Sequence, residues 1–319
     1  MNVQHRHVHG SWTTAFVQGR HRYLVPVLPA RGAAGRGRAR TWTWPASVEE
    51  LTPQELERAE IDVVVVQRPT ELCELVERWT GRRPGRDLPT VYVEHDAPQG
   101  RIAEMHHHTH GRTDLLLVHV THFNRLFWNS GATPTTVIEH GVVDPGHRYT
   151  GELERVAVVV NEPVRRGRVT GTDLLPRFAT TCPLDVFGMG ACGAAELDPE
   201  RIEAHEDLPQ ACLHEAMARR RAYLHPVRWT SLGMSLIEAM HLGLPVAALA
   251  TTEVTEAVPP GAGVTSTDPD VLATALDRWR NDPDEAAAVG GEGRRWALRR
   301  YGLDRFLADW DRTLEEVTS

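Results

Sequence analysis

Lysine is absent from this 319-residue sequence; all 35 basic residues are arginine. A GC-rich genome accounts for this most simply, since arginine codons are GC-rich. The chemical consequence is that guanidinium forks, backbone N–H groups or helix ends must hold any anionic ligand. Cysteine is scarce, with Cys73, Cys182, Cys192 and Cys212 scattered along the chain. That spacing excludes a zinc-finger pair and points to small hydrophobes rather than disulfides. No apolar run approaches the roughly 18–20 residues that spanning a bilayer requires. The first residues, MNVQHRHVHGSW, lack a signal-peptide core, so a cytoplasmic location is expected.

What is present fits a soluble globular protein: 41% hydrophobic and 24% charged residues, in a chain long enough for two domains. Residues 1–150 hold 17 Arg against 16 acids, and the remainder 18 against 27, so the net charge of −8 belongs to the second half. Non-specific nucleic-acid binding there is disfavoured. Histidine is skewed the other way, with 13 of 17 in the first 150 residues.

Apolar runs at Tyr23–Leu28, Ile61–Val66, Val91–Val93 and Leu115–Val120 predict buried parallel strands. Between them, Ser47–Ala59, Glu71–Thr80 and Thr121–Asn129 predict helices, the first capped by Ser47 with Glu50 as a capping box. A short strand is expected at Thr135–Glu139. The second half repeats the pattern: strands at Arg155–Val160 and Leu184–Phe187, and helices at Asp173–Thr180, Leu208–Arg219, Pro269–Arg280 and Pro283–Tyr301. In Leu303–Val317, Phe306, Trp310 and Leu314 form one helical stripe. Two runs of alternating strands and helices imply two doubly wound sheets, with ligands beyond the carboxyl ends of the strands.

Arg221–Ala250 carries the clearest chemical signal. A strand ends at Pro226 and a small-residue turn, Thr230-Ser231-Leu232-Gly233, precedes a helix that holds Glu238 and ends at Gly243. A helix with an uncharged first turn leaves its N–H groups available to an anion. Glu238 lies at the depth where a carboxylate accepts hydrogen bonds from a polyol such as ribose. A phosphate site and a hydroxyl acceptor on one helix suggest a nucleotide, although strand–turn–helix–strand is also ordinary α/β architecture.

These residues resemble the donor-site signature of retaining GT-B glycosyltransferases of the family 4, group 1 type. His225-Pro226, Ser231-Leu232-Gly233, Glu238-Ala239-Met240 and Gly243-Leu244-Pro245-Val246 fall in register with it. The resemblance implies a GT-B fold, with two Rossmann-like doubly wound domains facing across a cleft. The expected division is residues 1–149 as an acceptor-side domain, 150–301 as the donor domain and 302–319 as a helix bracing the first domain. His140-Gly141-Val142-Val143-Asp144-Pro145 is similar to the link that closes the N-terminal domain in this family.

The family signature has two glutamates with seven residues between them, and here the first position is Thr230. The resemblance thus implies ribose binding by Glu238, while Thr230 supplies a hydroxyl but no charge where the sugar is usually held. Arg166, Arg168 and then Arg165, after the first strand of the second domain, stand where the family clamps the donor diphosphate. The N–H groups of Ser231, Leu232 and Gly233 would share that task. Gly10, in His9-Gly10-Ser11-Trp12, resembles the family's first loop, although the strand ahead of it reads poorly because Gln4, His5 and His7 interrupt it. His95, after the Val91–Val93 strand, matches a histidine that faces the donor sugar and is the candidate catalytic group; a loop histidine bonded to local backbone is the alternative. His122 has a similar, weaker place. Glu253 and Glu256 fall in a donor-site loop that has glycines where Thr251 and Thr252 stand here.

The tract Met105–His110 invites a metal reading, but adjacent histidines on an extended chain point to alternate faces, no carboxylate or cysteine completes a shell nearby, and an acceptor-facing loop is expected. The Arg31–Arg40 stretch reads as a basic loop. The expected activity is retaining, metal-independent sugar transfer from a nucleotide-diphosphate sugar, with no cofactor besides that co-substrate. The acceptor is open: a small molecule, a glycan or a lipid-linked molecule. The alternatives are a sugar-nucleotide epimerase of the same fold, or a GT-B-shaped binding subunit without transfer, for which Thr230 speaks.

Overall fold

The computed structural model describes residues 1–319. The chain divides into two compact units, Met1–Val143 with Leu303–Ser319, and Asp144–Gly302. The divide falls six residues before the expected Tyr149, because the segment after Val143 is bonded into the second unit. There the Arg148 and Tyr149 N–H groups both donate to the Leu242 carbonyl at 3.1 Å, and Thr150 donates to Ala218 at 2.9 Å.

The first unit is built on seven strands: β1 (Asn2–His5), β2 (Arg22–Pro26), β3 (Val48–Leu51), β4 (Val63–Val66), β5 (Thr90–Glu94), β6 (Leu116–His119) and β7 (Thr135–Val137). All pair in parallel, in the order β3-β2-β1-β4-β5-β6-β7. Two expectations change here. The Asn2–His5 segment is a central strand although it carries Gln4 and His5. Burial drives the pKa of His5 down to about 3, so its neutral ring packs edge-on against Phe16 and Tyr23 as an apolar plate would. The expected Ser47–Ala59 helix is instead strand β3 followed by a helix only over Pro53–Arg58. Its cap is Thr52, whose hydroxyl and the Glu55 side chain form the capping box. Ser47 and Glu50 play no capping part; Glu50 pairs with Arg31 at 2.8 Å.

The final helix, Leu303–Thr318, belongs to this unit, and its Phe306, Trp310 and Leu314 are buried in one cluster with Trp12, Phe16 and Tyr23. Trp310 meets Phe16 and Trp12 edge-to-face, with ring centroids 4.9 and 5.7 Å apart.

The second unit has six parallel strands: β8 (Leu153–Val159), β9 (Leu184–Gly188), β10 (Ile202–Glu206), β11 (Arg220–His225), β12 (Val246–Leu249) and β13 (Val264–Ser266). Their order is β10-β9-β8-β11-β12-β13. β10 and β13 were not legible as strands. Both lie at the sheet edges, where one neighbour and partial exposure weaken the apolar pattern. The Met234–Leu242 helix ends at Gly243, which takes the left-handed conformation at φ 91°. The Pro269–Asn281 and Pro283–Arg300 helices start behind Asp268 and Asp282, whose carboxylates accept from backbone N–H groups of the first turn.

In each sheet the strand order reverses beside the first strand, between β1 and β4 and between β8 and β11. In such sheets ligands bind in the crevice at the carboxyl ends of those strands.

Candidate functional site

In the second unit, two segments meet at the switch point: the turn after β8 and the run from Pro226 to Glu238 after β11. They are bonded directly. The Arg228 N–H donates to the Val169 carbonyl at 2.9 Å. Gly171, at φ 75°, lies so close that a Cβ there would stand 2.0 Å from the Pro226 carbonyl oxygen. Asp173 receives Arg168 at 3.0 Å and Arg228 at 2.5 Å, tying the two segments by charge. Arg228 and Asp173 were not singled out from the sequence.

The three arginines of the first turn differ. Arg165 pairs with Glu162 at 3.4 Å and its side chain is 71% exposed. Arg168 is paired with Asp173 and 77% exposed. Arg166 is half-buried and engaged in no protein ion pair, so its full charge is available to a ligand.

The Met234–Leu242 helix starts behind Gly233, with no side-chain cap and no acid in its first turn. Its leading N–H groups therefore present partial positive charge at the strand ends. Ser231 and Leu232 are buried and Thr230 half-buried. Ser235 accepts a hydrogen bond from the Tyr223 hydroxyl at 2.9 Å, which anchors the start of the helix to β11. His225 packs against Gly233, and burial lowers its pKa to about 4.

Glu238 is buried at 4% exposure, one turn inside the helix. Gln210 donates to its Oε1 at 3.0 Å, and His214 Nε2 lies 3.4 Å from its Oε2. Gln210 and His214, four residues apart on the Gln210–Arg219 helix, were missed. Their spacing, which puts both on one helix face, was the only sequence signal. In the loop after β12, the Thr251 hydroxyl donates to the Val227 carbonyl at 2.9 Å. Glu253 is buried, 3.8 Å from the Arg300 guanidinium, and Glu256 is exposed.

In the first unit, the strand ends carry imidazoles. His95, after β5, is buried with its ring centroid 4.2 Å from that of His9 and 6.4 Å from that of His140. Burial first, then the neighbouring His9, His140 and Arg68, hold its pKa well below the ordinary value. Burial likewise lowers His9 to about 4 and His140 to about 3. Arg68, after β4, lies 3.1 Å from His9 Nε2 and pairs with Asp96 at 2.7 Å. A guanidinium has only N–H donors, so His9 Nε2 is the acceptor and its ring is neutral. His9, Arg68 and His140 went unassigned in the sequence because loops separate them. Gly10 opens the Gly10–Phe16 helix at the end of β1, and the Trp42 indole lies 3.1 Å from where its Cβ would be. Backbone approach at Gly10 is thus taken by an indole. His122 is exposed at the start of the His122–Phe127 helix.

The histidine tract splits. His107 is buried, bonded to Glu94 at 3.0 Å and Thr109 at 2.8 Å, whereas His106 stacks on His110 with centroids 4.2 Å apart. Asp185, Glu203 and His205 do bring ligand atoms within 4.8 Å of one another. The Arg155 and Arg220 guanidinia already occupy Asp185, both at 2.6 Å, and oppose a further cation there.

Residues 194–296 match the protein-family model Glycosyl transferases group 1. No curated protein matches the sequence. Among solved structures, sucrose-phosphate synthase from Thermosynechococcus elongatus is similar over 99% of this chain and 98% of its own, with 13% identity and a TM-score of 0.73. HepE from Anabaena, solved with UDP and glucose, is similar over 99% of this chain and 100% of its own, with 15% identity and a TM-score of 0.70. A glycosyltransferase involved in avilamycin A biosynthesis is similar over 99% of this chain and 98% of its own, with 14% identity and a TM-score of 0.64. The chain has the GT-B fold of two parallel α/β sheets and carries a glycosyl transferases group 1 match over residues 194–296.

Proposed function

We propose that this protein is a glycosyltransferase that takes a sugar from a nucleotide-diphosphate donor with retention and without a metal ion. The observation that carries the proposal is the buried Glu238 carboxylate one turn inside a helix whose uncapped start faces the strand ends. In this reading the ribose hydroxyls bond to Glu238. The N–H groups of Ser231 to Gly233 and the Arg166 guanidinium hold the diphosphate, with Arg165 and Arg168 at the rim. Fixed positive groups there stabilise the charge that develops as the nucleotide leaves. His95, neutral at physiological pH, is the group assigned to the reacting sugar, where it accepts or donates a hydrogen bond. HepE, solved with UDP and glucose, supports a nucleoside diphosphate and a hexose as the ligand classes.

The available charges support metal independence. Glu162 and Asp173, the carboxylates of the diphosphate turn, are both engaged by arginine. Positive charge for the phosphates therefore comes from Arg166 and the helix start. No helix is long and apolar enough to cross a membrane.

A second reading, binding without transfer, is favoured by Thr230, which leaves the usual sugar position without a carboxylate. Thermal melting with UDP, GDP and ADP in the presence of EDTA tests the donor reading. Saturation near 100 times Kd should stabilise the fold by about 2.7 kcal/mol. No shift with any of the three sinks the proposal, and a shift that needs added divalent metal corrects its metal independence. Stabilisation with no turnover of the sugar donor favours the second reading.

A further inference from the structure

Glu238 receives hydrogen bonds from a neighbouring helix as well as lying on its own. Gln210 and His214 occupy successive turns of the Gln210–Arg219 helix, and each addresses a different carboxylate oxygen: Gln210 Nε2 to Oε1 at 3.0 Å, His214 Nε2 to Oε2 at 3.4 Å. The two donor nitrogens are 3.4 Å apart, so they form one pair across the carboxylate edge. The His214 and Glu238 side chains are 8% and 5% exposed, where such bonds are little screened by water. A carboxylate rotates freely about its terminal bond unless its oxygens are held. With a donor against each oxygen the plane is set, and the two oxygens of a carboxylate can accept about four hydrogen bonds between them.

We propose that Gln210 and His214 are positioning residues that fix the plane of the Glu238 carboxylate, so that it accepts the 2′- and 3′-hydroxyls of one ribose together and selects ribonucleotides over deoxyribonucleotides. This rests on the reading of Glu238 as the ribose acceptor. The physical basis is the cost of an unmet partner. A nucleotide without those hydroxyls leaves desolvated acceptor sites on a buried carboxylate unpaired. That cost is sharp only when the carboxylate cannot turn away to other partners.

The test compares UDP with 2′,3′-dideoxy-UDP by isothermal titration calorimetry. The proteins are the wild type and the Gln210→Ala, His214→Ala, His214→Gln and Glu238→Ala variants, each checked for an unchanged melting transition without ligand. The wild type should prefer UDP by about thirtyfold or more, as expected for hydrogen bonds to a charged group. Gln210→Ala and His214→Ala should each cut that preference to about threefold by weakening UDP while leaving the dideoxy nucleotide unchanged. His214→Gln, whose amide carries a donor to nearly the same point, should restore it. A purely structural role would weaken both nucleotides alike. If one alanine variant fails to fold, the other decides.

Wild-type discrimination retained in both alanine variants, but lost in Glu238→Ala, overturns the inference and leaves the donor reading standing. Discrimination retained in Glu238→Ala overturns both. So does a wild-type protein that binds none of UDP, GDP and ADP. Should GDP or ADP bind in place of UDP, the matching dideoxy pair decides between the same outcomes.

Discussion

At the carboxyl ends of its strands, the first unit carries aromatic nitrogen: His9 after β1, His95 after β5 and His140 beyond β7, with Arg68 already paired to Asp96. The second unit, at the equivalent switch point, carries Arg166, an uncapped helix start and the buried Glu238. The strand order is the same in both sheets, apart from the extra β7 in the first. One topology thus makes two switch points, and the side chains at the strand ends give them unlike chemistry. The first edge is neutral, since burial holds its imidazoles unprotonated, and suits hydroxyl groups. The second is polarised, with arginines and a helix start beside the buried Glu238 carboxylate, and it is the edge to which the nucleoside diphosphate is proposed to bind.

The comparison is broken most directly at its two ends. Glu238→Ala should lower the release of nucleoside diphosphate from a sugar donor by about a hundredfold or more and remove most of the melting shift given by UDP. His95→Ala should lower the same turnover by about a hundredfold while leaving the UDP shift intact. If His95→Ala abolishes the UDP shift and Glu238→Ala preserves it, the division of labour between the edges is reversed.

A smaller effect separates the arginines. Arg166→Ala should weaken UDP by about tenfold, the worth of one charge-assisted hydrogen bond. Arg168→Ala should change it by less than about threefold, because Asp173 already holds that guanidinium at the surface. Titration calorimetry on both variants checks the ranking, and a larger loss at Arg168 would move the clamp outward.

The smallest effect concerns acid. In the first unit His5, His119 and His140 have pKa values lowered to about 3, and His9 to about 4, with burial as the leading cause in each case. A folded-state pKa below the unfolded value near 6.5 means that the unfolded chain takes up protons first. Stability is therefore fully present above about pH 6.5 and falls as pH drops towards 3 to 4. Melting between pH 7 and pH 5 should show a decline of about 5 °C or more. His5→Phe, which keeps a ring between Phe16 and Tyr23, should flatten that decline; an unchanged slope would remove His5 from its cause.

Much of the architecture was legible in the chain because buried parallel strands read as continuous apolar runs, as Val63–Val66 does. β1 was obscured because its buried residues include Gln4 and His5, whose polarity matters only until the neutral ring is packed away. β3 was misread because Ser47 and Glu50 mimic a capping box, while Thr52 and Glu55, five residues later, form the real one. At the candidate site, Glu238 and the Ser231–Gly233 turn stood out by local spacing, and the Arg165–Arg168 turn only through the family resemblance. Gln210, His214, Arg228, Asp173, Arg68, His9 and His140 were not, because their partners lie far along the chain.

The sequence by itself determined the alternation of strands and helices, the position of Glu238 behind an uncharged helix start, and the lack of any ammonium group. These are local properties, set by periodicity and composition. Only the tertiary structure decided which of three neighbouring arginines are held by a carboxylate, which donors hold Glu238, and which imidazoles share a neutral cluster. Those choices depend on burial and on ion pairs between distant segments, and neither exists until the strands are ordered side by side.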